Sequence, residues 1–182
     1  MGKIDLGKAF NDGWALFSKN LVTMIIGTLL VMIIGGLSLG ILMPIMMGGL
    51  FMMIRKADQG EAVQVGDVFG GFSNFGTLFV AGLIVLLAII IGSLACGVGA
   101  IVTGAAVIFM FPLIVDQGIG AGEAWNRSWA AFKANIGGLI VVTLVIGLLA
   151  GAGGVVAYIG SLFTTPFAYC VLWSAYKQSF AA

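Results

Sequence analysis

The chain has 182 residues, of which 61% are apolar and only 8% charged, with a net charge of +1 and no histidine. Soluble domains carry roughly 25% charged residues, so the composition argues for a membrane protein and against a soluble globular domain. The near-neutral balance offers no general attraction to nucleic acid, and the lack of histidine removes the usual proton shuttle, haem ligand and Ser-His catalysis.

The opening MGKIDLGKAFNDGW holds no apolar core, so no cleavable signal peptide is expected. Gly2 invites a myristoylation reading, but Leu6 stands where Ser or Thr is needed. The next stretch is amphipathic. At about 100° per residue, Phe10, Trp14, Phe17 and Leu21 fall within about 60° of arc, with Lys8, Asp12 and Lys19 opposite. A lead-in helix at the membrane interface is expected, its rings at headgroup depth; packing on other helices of the chain is the alternative.

Residues 20–54 then contain no Asp, Glu, Lys or Arg. The run is long enough for two membrane helices, with GGLSLG at 35–40 as the turn and Pro44 as a kink in the second helix. The first helix, taken as residues 21–34, amounts to ~21 Å. That is short of the ~30 Å hydrocarbon core unless the lead-in helix continues into it. Charge returns at Arg55, Lys56 and the tripeptide Asp58-Gln59-Gly60.

A weaker lead-in, FGGFSNF at 69–75, opens a second uncharged run over 68–115. This run breaks near Cys96, carries Pro112 near a helix end and leads to a second DQG, Asp116-Gln117-Gly118. Asp116 is read as a capping or solvated residue at the cytoplasmic mouth. The glycine string at 118–122 follows no strand and does not signal nucleotide binding.

A third lead-in starts at Glu123, whose charge suits a helix N-terminus. Trp125, Trp129, Phe132 and Ile136 share its apolar face, with Glu123 and Arg127 opposite. The last uncharged run, 134–176, is interrupted by AGAGG at 150–154, contains Pro166 as a kink and ends at Lys177. The isolated Cys96 and Cys170 read as small core residues. Thr28, Ser93, Thr103, Thr143, Tyr158 and Ser161 read as hydrogen-bonding glue to neighbouring helices or backbone. Gly36 with Gly40, and Gly147 with Gly151, have the spacing of close helix contacts or of turns.

The segments repeat. WALFSKNL at 14–21 matches WAAFKANI at 129–136, and each uncharged run holds one of the three prolines. Pro44 precedes Arg55, and Pro166 precedes Lys177, by the same eleven residues. The expected fold is therefore all-α: a single integral membrane domain over 1–182 with six transmembrane helices in three hairpins. Its pseudo-threefold units are approximately 4–58, 63–118 and 123–180, each with an interfacial amphipathic lead-in. All eight cations then fall on one side, which the positive-inside rule makes cytoplasmic, together with both termini.

Pro112, Asp116, Glu123, Ala124, Ser128 and Asn135 form a pattern. It resembles the signature of an uncharacterised family of bacterial six-helix inner-membrane proteins related to the membrane domain of glycerophosphodiester phosphodiesterases. The resemblance implies a bacterial inner-membrane location and six helices, and it supplies no activity. The catalytic domain of those phosphodiesterases needs histidines and clustered acids that this chain lacks.

The candidate functional residues are Asp116, Glu123, Arg127, Ser128 and Asn135. The expected interfacial anchors are Phe10, Trp14, Phe17, Trp125, Trp129 and Phe132. The expectation is a non-enzymatic scaffold, accessory subunit or membrane-organising module. Its partners would be membrane lipid and another membrane protein or a second copy, without cofactor, metal or nucleic acid. The competing reading is a small permease or channel with a Gly/Ser/Thr-lined pathway.

Overall fold

A computed structural model describes residues 4–94, 98–155 and 160–180, which form only helices, turns and irregular links. The elements are α1 (Leu6–Lys19), α2 (Leu21–Leu37), α3 (Met43–Asp58), a 3-10 helix (Val65–Asn74) and α4 (Phe75–Ser93). They continue with α5 (Val98–Val107), α6 (Met110–Gln117), α7 (Ala121–Ala134), α8 (Ile136–Val155) and α9 (Ser161–Phe180). Cys96 and Tyr158 lie outside the described residues.

Three stretches are long and apolar enough to cross a membrane: Val65–Ser93, Gly99–Gln117 and Ile136–Gly153. The pair α1 and α2 makes a fourth if counted as one span, although it bends by 90°. That bend means α1 does not extend α2 along its axis. Instead α2 gains length at its far end, reaching Leu37 and 17 residues, or about 26 Å. The helices α3 and α9, expected to span, are not among these stretches. The last turn of the 16-residue α3 carries Arg55, Lys56 and Asp58, and α9 carries Thr164, Thr165, Ser174 and Lys177.

Each lead-in segment ends at an asparagine. Asn20, Asn74 and Asn135 stand between α1 and α2, the 3-10 helix and α4, and α7 and α8, all with non-helical dihedrals. A side-chain amide suits such a junction because it hydrogen-bonds backbone groups that the break leaves free. Asn135 does so through Oδ1, which accepts the Gly138 N–H at 3.1 Å. Asn20 instead donates its amide back to Leu16 C=O at 3.3 Å.

Two prolines begin helices and do not kink them. Pro44 lies in the first turn of α3 and Pro112 in the first turn of α6, where a missing N–H costs nothing. Pro166 alone sits inside a helix, and α9 runs on through it. The AGAGG stretch is not a turn either, since α8 stays helical to Val155. The first turn does fall near its expected place, with left-handed backbone at Leu39 (φ 52°) and Gly40 (φ 86°).

The helices divide into inner and outer sets. Buried residues concentrate on α3 (Ile45, Leu50, Phe51, Ile54), α6 (Met110 to Val115) and α9 (Val171, Trp173, Tyr176). Phe51 joins them, its ring 6.5 Å from Phe111, 5.3 Å from Tyr169 and 6.5 Å from Trp173. By contrast α2, α4 and α8 are apolar all round yet expose Val22, Leu29, Leu83, Leu87, Val141 and Leu148. Exposed apolar surface on this scale is far larger than a water-facing monomer presents, and it has the chemistry of a lipid-facing wall. The 3-10 helix lies backbone-to-backbone on α3: a Cβ on Gly49 would come 1.7 Å from Val68 O.

Candidate functional site

The charged residues of the inner helices meet at one place. Asp116, in the last turn of α6, lies 3.6 Å from Arg55 Nε of α3 and accepts a hydrogen bond from Tyr176 Oη of α9 at 2.8 Å. One carboxylate therefore ties three helices together. Gln117 donates to Tyr176 Oη at 3.1 Å, and Arg127 of α7 donates to Gln117 Oε1 and to Glu123 Oε1. A second pair, Lys177 with Asp58 at 2.9 Å, joins α9 to α3. A third, Lys56 with Asp67 at 2.7 Å, pins the start of the 3-10 helix to α3.

The wiring of this collar parallels the sequence spacing. Arg55 and Lys177 each lie eleven residues after a proline, and Asp58 and Asp116 are the two DQG aspartates. Each aspartate pairs with the cation of a neighbouring inner helix, Lys177 to Asp58 and Arg55 to Asp116. The DQG glycines have a separate role. Gly60 (φ 74°) and Gly118 (φ 65°) both adopt left-handed backbone just past α3 and α6, a conformation that terminates helices and that glycine tolerates without a Cβ penalty.

Of the residues singled out from sequence, Asp116, Glu123 and Arg127 come together in the collar. Asp116 is more than a solvated cap, with its side chain only 30% exposed. Ser128 and Asn135 do not join them. Ser128 is buried on α7 and donates to Ala106 C=O of α5 at 2.6 Å, so it fastens two helices. Asn135 is the α7–α8 junction described above. Tyr176, Arg55, Lys177 and Asp58 belong to the site but were not singled out. For Arg55, Lys177 and Asp58 the signal was the shared spacing of the cations from the prolines and of the aspartates in DQG; Tyr176 had none.

The aromatic lead-ins divide between the two readings. On α1, Phe17 is buried, while Phe10 and Trp14 stay partly exposed and pack edge-on against Phe167 of α9. The contacts run antiparallel along α9: Asp5 meets Gln178, Asp12 meets Ser174 and Phe17 meets Phe167. A Cβ on Gly13 would lie 2.7 Å from Val171 N, so only glycine permits this approach. On α7 the buried face is Ala121, Ala124, Ser128, Ala131 and Phe132. Trp125 and Trp129 stack beside it at 6.0 Å, with Trp129 exposed. Phe69, Phe72 and Phe75 form a comparable exposed ladder. Sequence reasoning undervalued the alanine face of α7 because aromatic rings dominate any measure of periodicity.

Of the hydroxyls expected to act as glue, Ser161 Oγ donates across to Met32 Sδ of α2 at 4.0 Å, and four others bond their own backbone. Thr28 donates to Met24 C=O, Ser93 to Ile89, Thr103 to Gly99 and Thr143 to Leu139. At Gly36, Gly40, Gly147 and Gly151 an added Cβ meets nothing within 4 Å, so their spacing serves no helix contact within the described residues. Trp173 Nε1–H is buried with no partner among the described residues, an uncompensated donor costing about 1–3 kcal/mol.

The chain matches no protein-family model, no curated protein and no solved structure.

Proposed function

We propose that the chain is a non-enzymatic bacterial inner-membrane protein that works by association, as a scaffold or accessory subunit. In this reading six helices cross as three hairpins, and the collar and both termini face the cytoplasm. One observation carries it. The outer helices α2, α4 and α8 are charge-free and exposed, while the charges of α3, α6 and α9 gather in a linked collar whose outermost members, Glu123 and Arg127, are about half exposed. A charge pair held by Gln117 and Tyr176 keeps its position when a partner arrives, which lowers the ordering cost of docking.

The competing pathway reading asks for free hydroxyls along a route. Thr28, Ser93, Thr103 and Thr143 already spend theirs on backbone carbonyls, which weighs toward the scaffold.

Topology is tested with Leu39→Cys and Ser93→Cys in a chain lacking Cys96 and Cys170. Both positions are exposed, and both are expected to react with an impermeant maleimide from the periplasm only. Labelling from the cytoplasm would defeat the six-span arrangement. Association is tested by purification in mild detergent: a stable partner is expected, lost in the Glu123→Ala/Arg127→Ala double variant. Substrate-dependent flux in proteoliposomes would overturn the scaffold in favour of a permease.

A further inference from the structure

A polar cleft of about 500 Å³ lies between α1 and the C-terminal ends of α3 and α9, lined by Lys8, Asp12, Lys19, Asp58, Ser174 and Lys177 among others. Most cations of the described residues are neutralised: Arg55, Lys56, Arg127 and Lys177 each have an ion-pair partner. Lys8, Lys19 and Lys133 have none, and two of these three line this one cleft. Its opposite wall is electrically spent, because Lys177 and Asp58 pair with each other at 2.9 Å. What α1 presents to the cleft is thus two free ammonium groups with Asp12 between them, and Asp12 makes only a 3.4 Å contact from Ser174 Oγ.

The spacing selects the ligand. Lys8 and Lys19 are eleven residues apart on one helix, which places their Cα atoms ~16 Å from each other. A single phosphate is too small to satisfy both, and between them, ~6 Å along the axis from Lys8, stands the Asp12 carboxylate that repels it. Two phosphates joined by a short hydroxyl-bearing spacer fit the order Lys–Asp–Lys: each anion meets an ammonium, and the hydroxyl donates to Asp12.

We infer that this cleft binds a headgroup carrying two phosphates on a three-carbon spacer. The same helix carries Phe10 and Trp14, partly exposed, on its other face. The cleft therefore opens about one helix diameter from side chains suited to the lipid boundary. A lipid source for the ligand rests on the membrane placement proposed above; the cleft chemistry does not.

The test uses the full chain in dodecylmaltoside micelles, with native mass spectrometry reading the binding of diphosphatidylglycerol against phosphatidylglycerol. Wild type is expected to prefer the two-phosphate lipid by about two- to fivefold, the worth of one further exposed charge contact of good geometry. Lys8→Gln and Lys19→Gln are each expected to erase the preference, because it needs both ends. Lys133→Gln, a lysine outside the cleft, is expected to keep it. Equal binding of the two lipids by wild type overturns the site. So does a preference that survives the Lys8→Gln/Lys19→Gln double variant, or one lost equally in Lys133→Gln.

Soluble glycerol 1,3-bisphosphate is expected to displace the lipid, because the cleft reads the headgroup. Failure to displace at saturating concentration overturns that recognition. Alkaline carbonate extraction addresses membrane placement independently: release of the protein sinks that placement and leaves the binding measurement to judge the cleft.

Discussion

Replacing Tyr176 with Phe removes one oxygen from the centre of the collar and little else. The residue is 1% exposed, so the ring stays where it is, edge-on to Phe109 at 5.9 Å. Two hydrogen bonds vanish, the one Tyr176 donates to Asp116 at 2.8 Å and the one it accepts from Gln117 at 3.1 Å. A hydrogen bond to an ionised acceptor contributes about 1.5–3 kcal/mol and a neutral one about 0.5–1.5. Asp116 and Gln117 both reach water and recover part of that, so the net cost is about 2 kcal/mol.

For a chain of this length, that cost corresponds to a fall of about 4–8 °C in melting temperature. The assay is unfolding in mixed dodecylmaltoside–SDS micelles followed by far-UV circular dichroism, for Tyr176→Phe, Asp116→Asn and the double variant. Groups in direct contact couple by about 0.5–3 kcal/mol, so the double variant is expected to lose less than the sum of the singles. Strict additivity, or a Tyr176→Phe cost under about 0.5 kcal/mol, refutes the claim that Asp116 ties the inner helices together.

Gly13→Val is expected to detach α1 from α9, because its side chain meets the Val171 backbone; limited proteolysis should then cut within residues 6–19, where wild type resists. Phe51→Ala opens a cavity where three helices meet and is expected to cost about 3–5 kcal/mol, measured by the same unfolding assay. Ser128→Ala leaves a buried Ala106 carbonyl without its partner, an expected loss of about 1–3 kcal/mol. Asp58→Asn, which breaks a pair whose lysine is about half exposed, is expected to cost no more than about 1 kcal/mol, with an effect that fades in high salt.

The lead-in helices were legible because Phe10, Trp14 and Phe17 recur at helical spacing against Lys8 and Lys19, and α1 runs from Leu6 to Lys19 as that pattern implies. The division into inner and outer helices was not. Ile54 is buried and Val22 exposed, yet each sits in an uncharged run with no polar face to orient it. Hydropathy in a membrane protein reports solvent, and lipid and core are equally apolar. The collar was half visible, for Asp116, Glu123 and Arg127 lie within one short segment. Tyr176 escaped because its partner Asp116 is 60 residues away on another helix and the pairing leaves no local periodicity. The glycine stretch at 150–154 misled because glycine marks turns in water-soluble chains but is tolerated within apolar helices.

The antiparallel seam between α1 and α9 has a consequence in time. The helix α1 leaves the ribosome well before α9, on which it docks, so the groove around Gly13 waits for Val171, ~160 residues later. At ~5–20 residues per second, α1 spends ~8–30 s with Phe17 uncovered. A bilayer surface is the nearest shelter for such a helix. Interfacial residence and intramolecular packing, competing descriptions of the finished protein, then become successive stations of one helix during biogenesis.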